Sequence, residues 1–351
     1  MLLTLCIVIL LLYFIQWMKW HTTRSPEKSG YLYIPDCTIV VPFRNEEENL
    51  PILLAALQKN LPDQWRIILV NDHSEDASCK KIAPFLNLRT QLISAKGEGK
   101  KRALRTGIEL AHSEWIITMD ADLQLSAGWE SNLFVADWNS DMIIFSIEMD
   151  GEESVIETAQ KIEFSIFQYL TQKTCYRGQA QLSNGAYFGF RRKSFIQVGG
   201  YDMHAEISSG DDQFMLAYFR QHDKKITFHS TDGQARILGL KQFRPLLQQR
   251  LRWAEKSKDL PLKDMQYLGI ITLLANAVAL VLPWIINPPI WIGLLLLKWL
   301  PEYYAVSPIL RKRHPLFTIF FLITYPIWVL TVGIGVLIFP IEWKGRRLNQ
   351  S

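Results

Sequence analysis

The chain has 351 residues, 49% of them hydrophobic, and its 38 Lys and Arg against 34 Asp and Glu leave a formal net charge of only +4. So slight a basic excess gives no ground for a nucleic-acid partner, and the length allows one large or two ordinary domains. The apolar residues are unevenly placed, which excludes a uniformly soluble globule: they concentrate at both ends and leave a charged middle.

Leu2–Trp17 is a nearly charge-free run. It has no basic stretch before it and no Ala-x-Ala-like site after it, so it reads as an anchor over residues 1–20 and not as a cleaved signal. The positive charges Lys19, Arg24 and Lys28 follow it. By the positive-inside rule they put the N-terminus outside and the domain that follows in the cytoplasm. Cys6 lies in the anchor, and Cys37, Cys79 and Cys175 form no CxxC pair. No disulfide framework or thiolate zinc site is indicated, which suits a reducing compartment.

From residue 35 to 258 the composition is that of a soluble domain. Cys37–Val41 is a β-branched run that Pro42 ends; Glu46–Asn60 has helical spacing, with Leu50, Leu53, Leu54 and Leu57 on one face. Trp65–Val70 reads as a second strand, Glu75–Leu86 as a helix and Thr90–Ser94 as a third strand. Lys100–Ala111 is helical and leads into the strand that ends at Asp120. Alternating units of this length predict a mostly parallel α/β sheet with right-handed crossovers, whose ligands bind beyond the carboxyl ends of the strands.

Polar residues gather at those ends: Pro42-Phe-Arg-Asn-Glu-Glu47, Asn71-Asp-His-Ser-Glu-Asp76 and Asp120-Ala-Asp122. Asp120 and Asp122, two apart at a strand end, fall on one side of the chain and suit a hard divalent cation that in turn holds a diphosphate. Each loop also has a plainer reading, such as Asn45 or Ser74 as a helix N-cap. Three acidic loops at one sheet edge point to a site.

Further on, Asp141–Ile147 reads as a strand and Glu153–Cys175 as a long amphipathic helix. The glycine-rich, aromatic Ser183-Asn-Gly-Ala-Tyr-Phe-Gly-Phe190 follows, and Ser209-Gly-Asp-Asp-Gln213 opens another helix. Gln248-Gln-Arg-Leu-Arg-Trp253 lies on a basic helix before a membrane region of two to three helices over residues 265–340 and a basic tail over 341–351. Tyr267–Ile286 is long enough to span, as is Leu316–Phe339 with Pro326 inside it; Pro288–Tyr304 is shorter and interrupted by Lys298, Pro301 and Glu302. The basic clusters Arg311-Lys-Arg313 and Lys344-Gly-Arg-Arg347 flank the last segment and cannot both be cytoplasmic if it crosses once. Either the middle segment is re-entrant or interfacial, or one cluster breaks the charge rule. The histidines form no zinc set by spacing, and no Walker A, GxGxxG or Gly-x-Ser-x-Gly sequence is present.

Taken together, Val40-Val-Pro-Phe-Arg-Asn-Glu46, Val70-Asn-Asp-His-Ser-Glu-Asp76, Gly99-Lys100, Asp120-Ala-Asp122, Gly210-Asp-Asp212 and Gln249-Arg-Leu-Arg-Trp253 resemble the inverting family-2 glycosyltransferases. The resemblance covers Thr38–Trp253 and is greatest to the membrane-bound branch of ceramide glucosyltransferases and cellulose, chitin and hyaluronan synthases. Trp343-Lys-Gly-Arg346 is similar to an element after the last membrane segment of some members. Two positions depart from the usual pattern: Asn71-Asp72 stands for an Asp-Asp pair, and Asp211-Asp212 for Glu-Asp.

The resemblance implies a GT-A fold, the Rossmann-like sheet of nucleotide-diphospho-sugar transferases, and a Mg or Mn cofactor. It implies Asp122 as metal ligand and Asp120 on the ribose or assisting the metal. Glu46 and Asp72 hold the base and ribose, Pro42 and Arg44 shape the nucleotide pocket, and Lys100 faces the uracil or a phosphate unless it is a solvated helix residue. A single displacement needs a base and no nucleophile, which falls to Asp212, with Asp211 beside it. Gln249, Arg252 and Trp253 share one helical face. With Arg250 they are expected at the pyrophosphate and acceptor, unless the helix is simply interfacial.

The expected function is transfer of a sugar, from UDP in the first instance, to a lipid or lipid-linked acceptor by an integral protein of the cell membrane with a cytoplasmic catalytic domain. The rivals are a processive polysaccharide synthase, for which three or four hydrophobic segments look too few, and an inactive membrane scaffold.

Overall fold

The structure, a computed structural model, describes residues 1–25, 34–151, 154–201, 211–257, 259–310, 315–343 and 346–347. In chain order the first elements are α1 (Leu2–His21), β1 (Cys37–Phe43), α2 (Leu50–Asn60), β2 (Arg66–Asn71), α3 (Ser78–Ile82), β3 (Thr90–Ser94), α4 (Lys100–Leu110) and β4 (Trp115–Met119). There follow β5 (Gln124–Leu125), α5 (Ser131–Phe134), β6 (Met142–Phe145), β7 (Glu148–Asp150), α6 (Val155–Tyr176), β8 (Tyr187–Arg191), α7 (Arg192–Gln197) and α8 (Asp211–Gln221). The last are β9 (Ile226–His229), β10 (Ala235–Leu238), α9 (Phe243–Ser257), α10 (Lys263–Ile285), α11 (Pro288–Leu310), α12 (Pro315–Ile338), β11 (Glu342–Trp343) and β12 (Arg346–Arg347). They divide into a sheet unit (Ser25–Asp150 and Cys175–Leu238) and a helical unit (Met1–Arg24, Gly151–Thr174 and Gly239–Ser351).

In the sheet unit seven strands run in the order β3-β2-β1-β4-β8-β6-β9. All neighbours pair in parallel except β8, which runs antiparallel to both β4 and β6. The small sheet β5-β10-β7 completes the unit. The central strands are apolar from end to end because both faces are covered: every residue of β1 and of β4 is buried. The carboxyl ends of β1, β2, β3 and β4 therefore fall on one edge, as the alternation predicts.

Two boundaries differ from expectation. Pro42 does not end β1; the strand continues to Phe43, with Pro42 opposite Val70. Pairing with β4 stops at Val40, so Pro42 lies beyond the stretch bonded on both sides, where a missing N–H is tolerated. Helix α2 starts at Leu50 and not at Glu46, because the preceding amides bond across to the next loop. Glu46 N donates to Ser78 Oγ at 2.8 Å, and Glu47 N to Asp76 Oδ2 at 3.1 Å. The helix expected over Glu75–Leu86 is only α3 and a short 3-10 turn.

Helix α4 lies on β1 and β2 through Gly107, where an added Cβ would stand 2.5 Å from Val40 Cγ1 and 2.9 Å from Val70 Cγ2. Gly107→Ala should therefore cost about 1–3 kcal/mol, the usual scale of overpacking, and lower the thermal midpoint. An unchanged midpoint would show that the strand side chains can give way.

In the helical unit, α1, α10 and Ile319–Ile338 of α12 are long and apolar enough to cross a membrane. The segment expected to be short is instead α11, a continuous helix of 23 residues. Its two charges are matched internally: Lys298 Nζ donates to both oxygens of Glu302 at 2.9 and 2.8 Å, and Tyr13 of α1 donates to Glu302 Oε1 at 2.6 Å. All three side chains are buried. Charges in an apolar helix are tolerated when paired in this way. The cluster Arg311–Arg313 lies outside the described residues, as do Lys344 and Gly345.

Candidate functional site

Two loops at the carboxyl edge are tied to each other before any ligand is considered. Asn45, in the left-handed region at φ 54°, donates its amide to Ser74 Oγ at 3.1 Å and accepts Glu75 N on its side chain at 2.9 Å. Left-handed backbone suits Asn better than most side chains. Ser74 N donates to Asn71 Oδ1 at 2.8 Å. Arg44, on the same loop, reaches Glu75 at 3.2 Å. Pro42, Arg44 and Glu46 thus form one wall.

Lys100, the first residue of α4, is the centre of the cluster. Its ammonium lies 2.6 Å from Asp120 Oδ1, 3.0 Å from the Gly185 carbonyl and 3.8 Å from Asp211 Oδ2. Desolvation alone would lower its pKa, but the charges of Asp120 and Asp211 outweigh that and hold the ammonium firmly protonated. Lys100 is therefore an inward cation and not a solvated helix residue.

Asp72 stands one step behind. Its carboxylate is buried, and both oxygens accept Gly99 N, at 2.9 and 3.0 Å. Gly99 has φ 102°, which a side chain would disfavour, and it caps α4. In this arrangement Asp72 holds the turn that presents Lys100.

The expected juxtaposition of carboxylates is present. The Asp122 carboxyl is raised first by desolvation, although the residue as a whole is exposed, and then by the charges of Asp120 and Glu46. Desolvation raises Asp120 as well; the nearby charge of Lys100 opposes the shift without cancelling it. The cluster of Glu46, Asp120, Asp122, Asp211 and Asp212 around Lys100 is thus short of positive charge. Among the described residues no three His, Cys, Asp or Glu side chains are arranged to hold a metal by themselves. The clustered carboxylates are themselves hard oxygen donors, the type that Mg or Mn takes one or two at a time beside phosphates and water.

A carboxyl raised in the folded state destabilises the fold while ionised, above its folded pKa, and the penalty vanishes below its unfolded pKa. Asp122→Asn should therefore raise the thermal midpoint of metal-free protein at pH 7–8, and the gain should disappear near pH 4. A lower midpoint at pH 7 would show the Asp122 charge to be stabilising.

Gly185 has no assigned role in the sequence reading. The antiparallel return of β8 brings its loop against β4, where Ala186 O accepts Asp120 N at 2.9 Å. Besides accepting from Lys100, Gly185 leaves room: a Cβ there would stand 3.3 Å from Asp212 Cγ. The glycine-rich Ser183–Phe190 segment was the only sequence signal for it.

The element Gln249–Trp253 lies on α9 of the helical unit. Arg250, expected at a pyrophosphate or acceptor, is engaged within this unit. Its Nε lies 2.7 Å and its Nη2 2.6 Å from Glu163 Oε2, its Nη1 donates to Gln249 Oε1, and its guanidinium is 4.3 Å from the Trp253 ring centroid. Arg252 and Trp253 are half-buried.

Residues 38–199 match the glycosyl transferase family 2 profile. The chain is 35% identical over 103 residues to an undecaprenyl-phosphate 4-deoxy-4-formamido-L-arabinose transferase of Proteus mirabilis, covering 27% of this chain and 32% of that protein. It is 32% identical over 96 residues to a dodecaprenyl-phosphate galacturonate synthase of Rhizobium johnstonii, covering 25% of this chain and 28% of that protein. The matched stretch thus spans about a third of these relatives' length. A mannosyltransferase of Pyrobaculum calidifontis, solved with GDP-Man and Mn2+, superposes with a TM-score of 0.63 at 16% identity, covering 96% of this chain and 97% of its own. The sheet order and this likeness define a GT-A fold, within which residues 38–199 carry the match to glycosyl transferase family 2.

Proposed function

We propose that the protein is a metal-dependent, inverting glycosyltransferase that moves a sugar from a nucleotide-diphosphate donor, UDP in the first instance, to a hydroxyl of a lipid or lipid-linked acceptor at the cytoplasmic membrane face. The observation that carries this reading is the carboxylate cluster around Lys100 at the carboxyl edge of the sheet. The polyprenyl-phosphate sugar transferases among the relatives and the long apolar helices support a membrane acceptor. The Gln249–Trp253 element supports kinship with the membrane-bound branch.

Asp122, assisted by Asp120, would hold the divalent cation, which when bound supplies positive charge to the departing diphosphate. The chain's own residues do the rest. The wall of Pro42, Arg44 and Glu46 holds the nucleoside, and Asp72 fixes the turn before Lys100. Lys100 orients Asp120. Asp212, beside the opening left by Gly185, takes the proton of the acceptor hydroxyl as it attacks, and Arg252 steadies the leaving group.

The test uses detergent-solubilised protein with a panel of nucleotide sugars and a membrane lipid extract. Release of nucleoside diphosphate from one donor, only when lipid is present, is expected. No lipid-dependent release from any donor would refute the reading.

A further inference from the structure

Glu163 and Arg250 are charged, nearly fully buried, and 87 residues apart in sequence. Burying two charges is tolerated only with close pairing, and removing either partner leaves the other stranded. Both Arg250 contacts fall on one oxygen of Glu163, Oε2, at 2.7 and 2.6 Å. The other oxygen, Oε1, accepts Trp328 Nε1 of α12 at 3.1 Å. Arg250 in turn donates to Gln249 and lies over the Trp253 ring at 4.3 Å, a cation–π distance. Phe167, one turn along α6 from Glu163, sets its edge against the same ring at 6.2 Å. Trp253 is therefore held from two sides, both of which lead back to α6.

We propose that Glu163 is a positioning residue for the transfer reaction: through Arg250 it fixes Gln249 and Trp253, and through Trp328 it ties their helix to α12. The proposal rests on the glycosyltransferase reading. It gives Arg250 the work of aiming its neighbours, and leaves Arg252 as the guanidinium for the donor. An ion pair kept only for stability would be dispensable in favour of apolar side chains; one that aims Trp253 would not.

That difference is the test. Protein labelled with 5-fluorotryptophan gives a Trp253 resonance, identified by its loss in Trp253→Phe. Glu163→Gln should move it and lower kcat/KM about tenfold or more, with Glu163→Asp recovering part of both. The double variant Glu163→Leu with Arg250→Met should regain the native thermal midpoint in detergent yet keep the displaced Trp253 resonance and the low turnover. Native turnover in the double variant, or an unmoved Trp253 resonance in Glu163→Gln, would overturn the proposal. If the native protein transfers no sugar, the glycosyltransferase reading fails on that result, while the resonance still tests the positioning.

Discussion

Asp122→Ala is expected to abolish sugar transfer, with a loss of about 10³-fold or more, the scale seen when one electrostatic partner of a developing charge is removed. In the proposed reaction the diphosphate would leave with growing negative charge toward a cluster that already holds Glu46, Asp120, Asp211 and Asp212, with Lys100 among them. Without a bound cation that environment opposes departure. Donor binding with Mn2+ or Mg2+ present should weaken in parallel, and chelation of native protein should reproduce the defect. Donor affinity that is indifferent both to added metal and to the substitution would remove Asp122 from the metal role.

Asp212→Asn should act on a different step. It preserves size and most hydrogen bonding but removes the ability to accept a proton. With a hydroxyl acceptor, kcat should fall by about 10²–10⁴-fold while donor binding stays nearly native. Arg252→Ala should differ by weakening donor retention and turnover together. The comparison has a second use. An acceptor that attacks through a phosphate is already an anion and needs no base, so near-native turnover in Asp212→Asn would exclude the base role and point to a lipid phosphate.

Strands β1, β2 and β4 were legible because they are buried on both faces and so are written as apolar runs: Cys37–Val41, Trp65–Val70 and Trp115–Met119 all lie in strands or at their edges. The position of Asp120 and Asp122 at the carboxyl edge was legible from the same apolar run, since β4 ends at Met119. What was not legible depends on partners far along the chain. The start of α2 was misplaced because the amides of Glu46 and Glu47 are claimed by Ser78 and Asp76. Gly185 gained a role only through the antiparallel return of β8. Arg250 reads as a free cation beside Arg252 until Glu163 is placed against it. The interruptions at Lys298 and Glu302 likewise vanish once the two pair with each other and with Tyr13.

Transfer itself is tested most directly on membranes. Membranes carrying the native protein, and matched membranes carrying Asp122→Ala, are incubated with radiolabelled nucleotide sugars and extracted into organic solvent. One donor is expected to label the lipid fraction in native membranes alone, with the product resisting the mild acid that cleaves a sugar phosphate. Lipid label of equal strength in the two preparations, or none from any donor with native membranes, would contradict the assignment.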